Sequence, residues 1–439
     1  MTKCELKAMA CSAIEAKYDE IVAFNNAIMA APELGYAEHK TSAATREQLE
    51  KYSVKDFSTT AITGQKGWLR GKNPKAAVMI MGELDAVISP NHPLSDPITS
   101  AAHACGHAAQ LAVLCGSAVG LAAIAHKLDG DICFAAAPAE EYIQIEKRQQ
   151  LRKQGKIGWL GGKQQMIAEG TFDDIDMAMM VHAETNAPYP RGVTGGESLG
   201  FIGKEIRFTG REAHAATPWL GVNALNAANL ALSAINALRE TFREEDKIRV
   251  HAIITKGGDL VNTVPADVRM ECHVRSINPK AMIAVNKQVN KAIQGCAHAL
   301  GVTVDIVDIP GYYPLAQNPD IGRMFTKNAA NIAPDVRMED GRPFSGSTDM
   351  GDVCWLIPAI QPSVSGFSGA LHSAEFAVSD AYLACILPAK LLAMTVIDLL
   401  ADGASEALRV MELQPRKSKE DYMAMWEKIV SLEKRCRLP

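Results

Sequence analysis

Short, almost continuously apolar runs recur in the first third of the chain, and each stops on a polar residue. Residues 76–81 run into Gly82-Glu83-Leu84-Asp85, residues 131–136 stop before Pro138, and residues 177–181 stop at His182. Between the first two lies an Ala- and Leu-rich stretch, about 108–126, of helical length. Apolar strands without alternation, separated by helices, predict a mainly parallel sheet covered on both faces. Such sheets bind ligands beyond the carboxyl ends of their strands. Asp85, Glu140, Glu141 and His182 all sit just past such ends.

The middle of the chain has another rhythm. The pattern predicts strands over 204–210, 247–255, 267–276 and 302–309, with helices over 222–242 and 279–300, the second with Pro279 in its first turn. The order βαββαβ is that of a ferredoxin-like split βαβ unit. In 267–276, Val268, Met270, Cys272 and Val274 alternate with Arg269, Glu271, His273 and Arg275. That period of two predicts one buried and one solvated sheet face. After about Gly311 the α/β character returns. The expected architecture is an α/β catalytic domain, 1–197 and 311–439, with a mixed, mainly parallel sheet flanked by helices. An α+β domain is inserted at 198–310. The tail from Asp402 reads as charged and helical.

Composition narrows the function classes. A chain of 439 residues allows two or three domains. With 48% hydrophobic and 22% charged residues it is an ordinary globular composition, not a disordered, collagenous or coiled-coil one. Lys+Arg 45 against Asp+Glu 50 gives a net charge of −5, and so no global drive toward nucleic acid or anionic membrane. Residues 1–20 lack the apolar core of a signal peptide. The apolar run 111–125 is broken by Gly116, Ser117 and Gly120 and reads as a buried helix rather than a membrane span. Ten cysteines occur singly, without a CxxC pair, which points to a reducing, cytoplasmic compartment.

The densest chemistry is His103-Ala104-Cys105-Gly106-His107. Cys and His one glycine apart can face one cation, and both suit zinc-like metals. Taken alone, the pattern is better read as a buried structural cysteine beside solvated histidines. Pro138-Ala139-Glu140-Glu141 follows an apolar run directly. Metal-assisted hydrolysis needs one carboxylate on the cation and another to take a proton from water, and adjacent glutamates can divide those roles. His182 and His372, in Leu371-His372-Ser373, are each unremarkable singly. Together Cys105, His107, Glu141, His182 and His372 are enough donors for two metals if one bridges. There is no GxSxG elbow for serine chemistry.

The whole pattern resembles the amidohydrolase branch of the co-catalytic metallopeptidase and aminoacylase family, which includes hippurate hydrolase, auxin-conjugate amidohydrolases and aminobenzoyl-glutamate hydrolase. The matching segments, in family order, are PELGYAE at 32–38, GELDA at 82–86, HACGH at 103–107, PAEE at 138–141, GREAHA at 210–215, NTVPADVRMECHVRS at 262–276, GSTDMGDV at 346–353 and LHSAEF at 371–376. The resemblance implies two divalent metal ions, Zn or Mn, with Cys105 bridging. His107 and His182 would complete one metal and Glu141 and His372 the other. It implies Glu140 as general base, Asp85 as a residue orienting the site, and His214, on the insert, as oxyanion donor. Asn262 and Arg275 would hold the polar end of the substrate, and a solvated place on the sheet's polar face reads Arg275 equally well.

The implied function is hydrolysis of the amide bond of N-acyl or aryl-amide amino-acid conjugates or small dipeptides. The implied assembly is a homodimer through the inserted domain, with no nucleic-acid or membrane partner. The sequence departs from the family where HACGHDxH is usual: Ala108 and Gln110 replace the Asp and second His. That departure motivates an alternative, a catalytically impaired binding or regulatory protein on the same scaffold. Residues 142–156, with Lys147, Arg148, Arg152 and Lys153, form a long basic segment expected to be a solvated helix rather than a specificity element.

Overall fold

The computed structural model describes residues 1–341 and 346–430, so the end of the charged tail lies outside the described residues. The chain forms two compact units. The first is built from Met1–Glu197 with later segments beginning at Leu315 and Asp352, and the second is chiefly Ser198–Pro314.

The first unit holds a six-stranded sheet in the order Lys55–Thr60, Gly64–Leu69, Asp131–Ala137, Ala77–Glu83, Met177–Met179, Ala359–Ile360. The first two pairings are antiparallel and the other three parallel. This is the mixed, mainly parallel sheet that the unalternating apolar runs imply, and both central strands are buried along their whole length. The helix His107–Ala122 packs on Ala77–Glu83 and against Lys3–Glu15, Tyr18–Met29 and Leu387–Leu400. Its small residues permit that closeness: a Cβ at Gly120 would stand 2.8 Å from Ile14. The stretch Tyr382–Leu400 is long and apolar enough to cross a membrane, but 89% of it is buried inside the protein, as a core helix is.

One expectation is corrected. Residues 177–181 do not form one strand ending at His182. The strand stops at Met179, and His182 opens a second strand, His182–Thr185, in another sheet. There it pairs in parallel with Ser363–Ser368, starting from His182 opposite Ser363. The unbroken apolar run conceals the change of sheet because Met180 and Val181, between the two strands, are as buried as the strand before them.

The second unit has the predicted order of elements. Its strands Gly200–Thr209, Arg249–Lys256, Asp267–Ser276 and Thr303–Pro310 form an antiparallel sheet in which Asp267–Ser276 and Gly200–Thr209 are central. The helices Ala224–Leu238 and Pro279–Ala299 pack on it. This is ferredoxin-like topology. Val268, Met270, Cys272 and Val274 are buried in its core, while Arg269, Glu271, His273 and Arg275 are more exposed. Burying a Val or Met side chain stabilises by roughly 1.5–3 kcal/mol, which fixes the strand's register. Asn278 caps the second helix by accepting from the Lys280 and Ala281 N–H groups, ahead of Pro279.

Candidate metal centre

The carboxyl ends of the parallel strands converge on one cluster. Ala77–Glu83 delivers Glu83 and, just beyond it, Asp85; Asp131–Ala137 delivers Glu140 and Glu141. Cys105 and His107 enter at the start of the helix His107–Ala122, whose first cap position is Gly106 at φ 92°. A Cβ at Gly106 would stand 2.7 Å from the Ala183 Cβ. Only glycine combines that backbone with that proximity, and the turn it makes points both Cys105 and His107 at the same place. His372, itself at φ 62°, is held by its N–H donating to Ala104 O at 2.7 Å.

The donor atoms form two triads that share a sulfur. Cys105, His107 and His182 offer ligand atoms within 4.8 Å of one another, and so do Cys105, Glu141 and His372. Cys105 Sγ lies 3.6 Å from His182 Nε2 and 3.3 Å from His372 Nε2. His372 Nε2 lies 3.1 Å from Glu141 Oε1. Glu140 Oε2 lies 4.0 Å from His107 Nε2. A third triad, Glu83, His107 and Glu140, meets the same criterion.

Asp85 is fully buried and touches two of these residues. Its carbonyl oxygen is 2.8 Å and its carboxylate 3.4 Å from His107 Nδ1, while its other carboxylate oxygen accepts the Glu141 N–H at 2.9 Å. It thereby turns the far nitrogen of His107 toward the cluster. His103, in the same motif, is buried without a hydrogen bond, and burial pushes its pKa down to about 3, so it is neutral.

Sequence reasoning missed several supporting side chains. Glu38 is fully buried and accepts from Thr63 Oγ1 at 2.6 Å and from the Ala139 N–H at 2.8 Å. Ala139 has φ 50°, a costly conformation for a non-glycine residue. Its carbonyl accepts from Arg148 at 3.3 Å, so both sides of this strained residue are pinned. Arg148 corrects the expectation for 142–156. The segment does carry a helix, Ile145–Lys153, with Lys147, Arg152 and Lys153 exposed, but Arg148 is buried and donates also to Leu160 O at 2.8 Å and to Glu141 O. A lone arginine facing inward from a polar helix leaves no periodic signal. Glu83, inside GELDA, and Lys163 are both wholly buried and paired with each other. Gln110, at one of the departing positions, donates to Glu83 Oε2 at 2.8 Å and accepts its N–H at 3.1 Å.

The electrostatics fit a site built around positive charge. Burial and the neighbouring Glu141 push the Cys105 thiol well above its usual range. Burial pulls His107 down, but Glu83, Cys105 and Asp85 outweigh it and the net shift is upward. The hydrogen bond to Glu141 raises His372. Burial lowers His182. His107 Nε2 and Asp85 Oδ1 are buried and make no hydrogen bond. Buried polar atoms of this kind, in a set of S, N and O donors, are what divalent cations satisfy.

The remaining expected residues lie in the second unit. His214 is exposed, with its Nδ1 accepting the Ala216 N–H at 3.0 Å. The following Ala215 N–H donates to Asn262 O at 2.9 Å, so His214 and Asn262, far apart in sequence, are neighbours there. Arg275 is half-buried, with its guanidinium 5.5 Å from the Phe201 ring and 3.4 Å from Ser347 Oγ. Burial lowers its pKa.

The S, N and carboxylate donors, with Cys105, His107 and Glu141 buried, His182 half-buried and His372 exposed, and with Glu140 beside them, are of the kind that co-catalytic metal sites use. Comparison with known proteins agrees. Residues 197–297 match the peptidase dimerisation domain of the M20 type. The chain is 28% identical over 415 residues to Xaa-Arg dipeptidase of Mus musculus, covering 90% of this chain and 89% of that one. It is 24% identical over 385 residues to IAA-amino acid hydrolase ILR1-like 2 of Arabidopsis thaliana, covering 83% and 82%. Among solved structures, a putative aminohydrolase from methicillin-resistant Staphylococcus aureus aligns with a TM-score of 0.75 at 18% identity, over 89% of this chain and all but 1% of that one, which covers 99%. A Bacillus subtilis dinuclear metal binding peptidase from the M20 family aligns at 0.68 and 19% identity, over 88% and 99%. The chain is thus similar along most of its length to a dipeptidase and to an amino-acid-conjugate hydrolase, with the M20-type match confined to 197–297, and the expected resemblance, fold class and enzyme class hold.

Proposed function

We propose that this chain is a two-metal amidohydrolase that cleaves small amides bearing a free carboxylate: dipeptides or amino-acid conjugates. The observation that carries the reading is the pair of donor triads sharing Cys105, with Glu140 beside them. Cys105 would bridge, His107 and His182 would hold one ion, and Glu141 and His372 the other. Bound divalent ions, Zn or Mn, would acidify water and polarise the amide carbonyl. Glu140 takes the proton of the attacking water and passes it to the leaving amine. Asp85 fixes the ring of His107 and the backbone of Glu141. His214 supplies a hydrogen bond to the developing oxyanion, with Asn262 at its side and Arg275 for the substrate carboxylate. The named activities of the relatives, on Xaa-Arg dipeptides and amino-acid conjugates, support an amide substrate of this kind.

The dimerisation-domain match supports a homodimer through the second unit. Exposed Trp219, Leu220, Leu260 and Val261 on that unit favour a partner surface. The nine described cysteines are all free thiols, in keeping with the cytoplasmic reading.

The test is a screen of metal-loaded protein against N-acetyl, N-benzoyl and aminobenzoyl amino acids, β-alanyl dipeptides and Xaa-Arg dipeptides, with metal content measured alongside. Turnover of at least one class with two ions per chain is the expected result. Folded protein that takes up no metal and turns over none of them overturns the reading in favour of a binding protein.

A further inference from the structure

Glu83 stands at the base of the cluster, and no part of the proposed reaction uses it. It is 0% exposed, the last residue of the central strand, and its Oε2 lies 3.0 Å from His107 Nε2. Asp85 occupies the other nitrogen of that ring, so Nε2 is the atom left to bind a cation. Nε2 is buried and makes no hydrogen bond. Glu83, His107 and Glu140 therefore present donor atoms to one common space.

The Glu83 carboxylate is held from behind. Gln110 donates to Oε2, and the Lys163 ammonium binds Oε1. An ionised carboxylate has about four acceptor sites, so these donors leave lone pairs on the His107 side. Charge points the same way. Glu83, Asp85, Cys105, Glu140 and Glu141 carry negative charge when deprotonated, and the Lys163 ammonium is paired with Glu83. Buried charge is tolerated when it is balanced, and two divalent ions together with Lys163 bring the sum of these groups to zero.

Resting on the two-metal reading above, we propose that Glu83 is a further ligand, bound to the same ion as His107, and that Gln110 and Lys163 are the side chains that hold it in place. Gln110 then has a use that the expected histidine at its position would not supply: an amide that accepts the Glu83 N–H and donates to its carboxylate.

The experiment strips the full-length protein with a chelator, reloads it with Co²⁺, and reads stoichiometry, affinity by indicator competition, and the visible absorption of the cobalt. Glu83→Gln should bind one of the two ions at least about tenfold more weakly, with an altered cobalt spectrum for that ion. The double variant Glu83→Gln with Lys163→Met removes both members of the buried ion pair and should show the same spectral change, which guards against misfolding of the single variant. Two ions bound with wild-type affinity and spectrum overturn the proposal. Weaker binding with an unchanged spectrum also overturns it, since it assigns Glu83 a positioning role only. Wild-type protein that takes up no cobalt overturns the two-metal reading itself, and this inference with it.

Discussion

The Arg148 guanidinium donates to the backbone carbonyl of Glu141, tying a helix that is polar along most of its length to the residue proposed to hold a cation. The same side chain binds Ala139 O and Leu160 O, and its guanidinium lies 5.4 Å from the Tyr36 ring. Gly35 leaves room for it: a Cβ there would overlap the Arg148 guanidinium.

Arg148→Met removes a donor from three carbonyls, of which Ala139 O and Glu141 O keep the Gly162 and Ile143 N–H groups, and should cost about 1–3 kcal/mol of stability. It should also lower kcat by loosening the backbone of Glu140 and Glu141. Arg148→Lys should rescue little, because one ammonium cannot reach the carbonyls that a planar fork spans. Urea midpoints and steady-state kinetics check this. Wild-type stability and kcat in Arg148→Met would show that the carbonyls find other donors.

The adjacent glutamates are separable. Glu140→Gln should keep both metals and lower kcat about a hundredfold or more, as for a lost acid–base group. Glu141→Gln should instead lose metal. Metal analysis alongside kinetics decides, and the reverse assignment follows if the two phenotypes are exchanged.

Metal affinity should depend steeply on pH. In the metal-free protein burial and Glu141 raise the Cys105 thiol, and His107 and His372 are held above their usual range. All three shifts favour the protonated forms, and cations must displace those protons. Affinity falls as pH falls, roughly tenfold per unit for each proton displaced. Cys105→Ser should remove the shared ligand and lose metal. A flat affinity profile from pH 6 to 8, or full metal content in that variant, would exclude Cys105 as the bridge.

His214 belongs to a unit other than the one that holds the metal ligands. His214→Ala should leave metal content and fold unchanged while lowering the rate by roughly two to three orders of magnitude, as for a lost oxyanion donor. If each subunit serves its partner's site, mixing His214→Ala with Glu140→Gln chains should restore part of the activity. Wild-type kinetics for His214→Ala would remove this donor from the mechanism.

Local pattern alone determined much here. Unalternating apolar runs gave the parallel strands, period-two alternation gave the solvated face of the inserted sheet, and the order of elements gave its ferredoxin-like topology, because backbone periodicity is set residue by residue. Part of the candidate donor cluster was also legible, since Cys105-Gly106-His107 and Glu140-Glu141 are contiguous, while the ligand assignment as a whole rested on the family resemblance. The sheet change at His182 was not, because Met180 and Val181 between the two strands are as apolar and buried as the strand before them. Nor were the roles of Glu38, Glu83, Arg148 and Lys163. Each is a charged residue that sequence statistics place at the surface, and each is buried because the fold brings a partner against it: Thr63 and Ala139 for Glu38, Lys163 for Glu83, and the carbonyls of Leu160 and Glu141 for Arg148. Burial of a charge is decided by what the fold brings against it, and only the tertiary structure contains that.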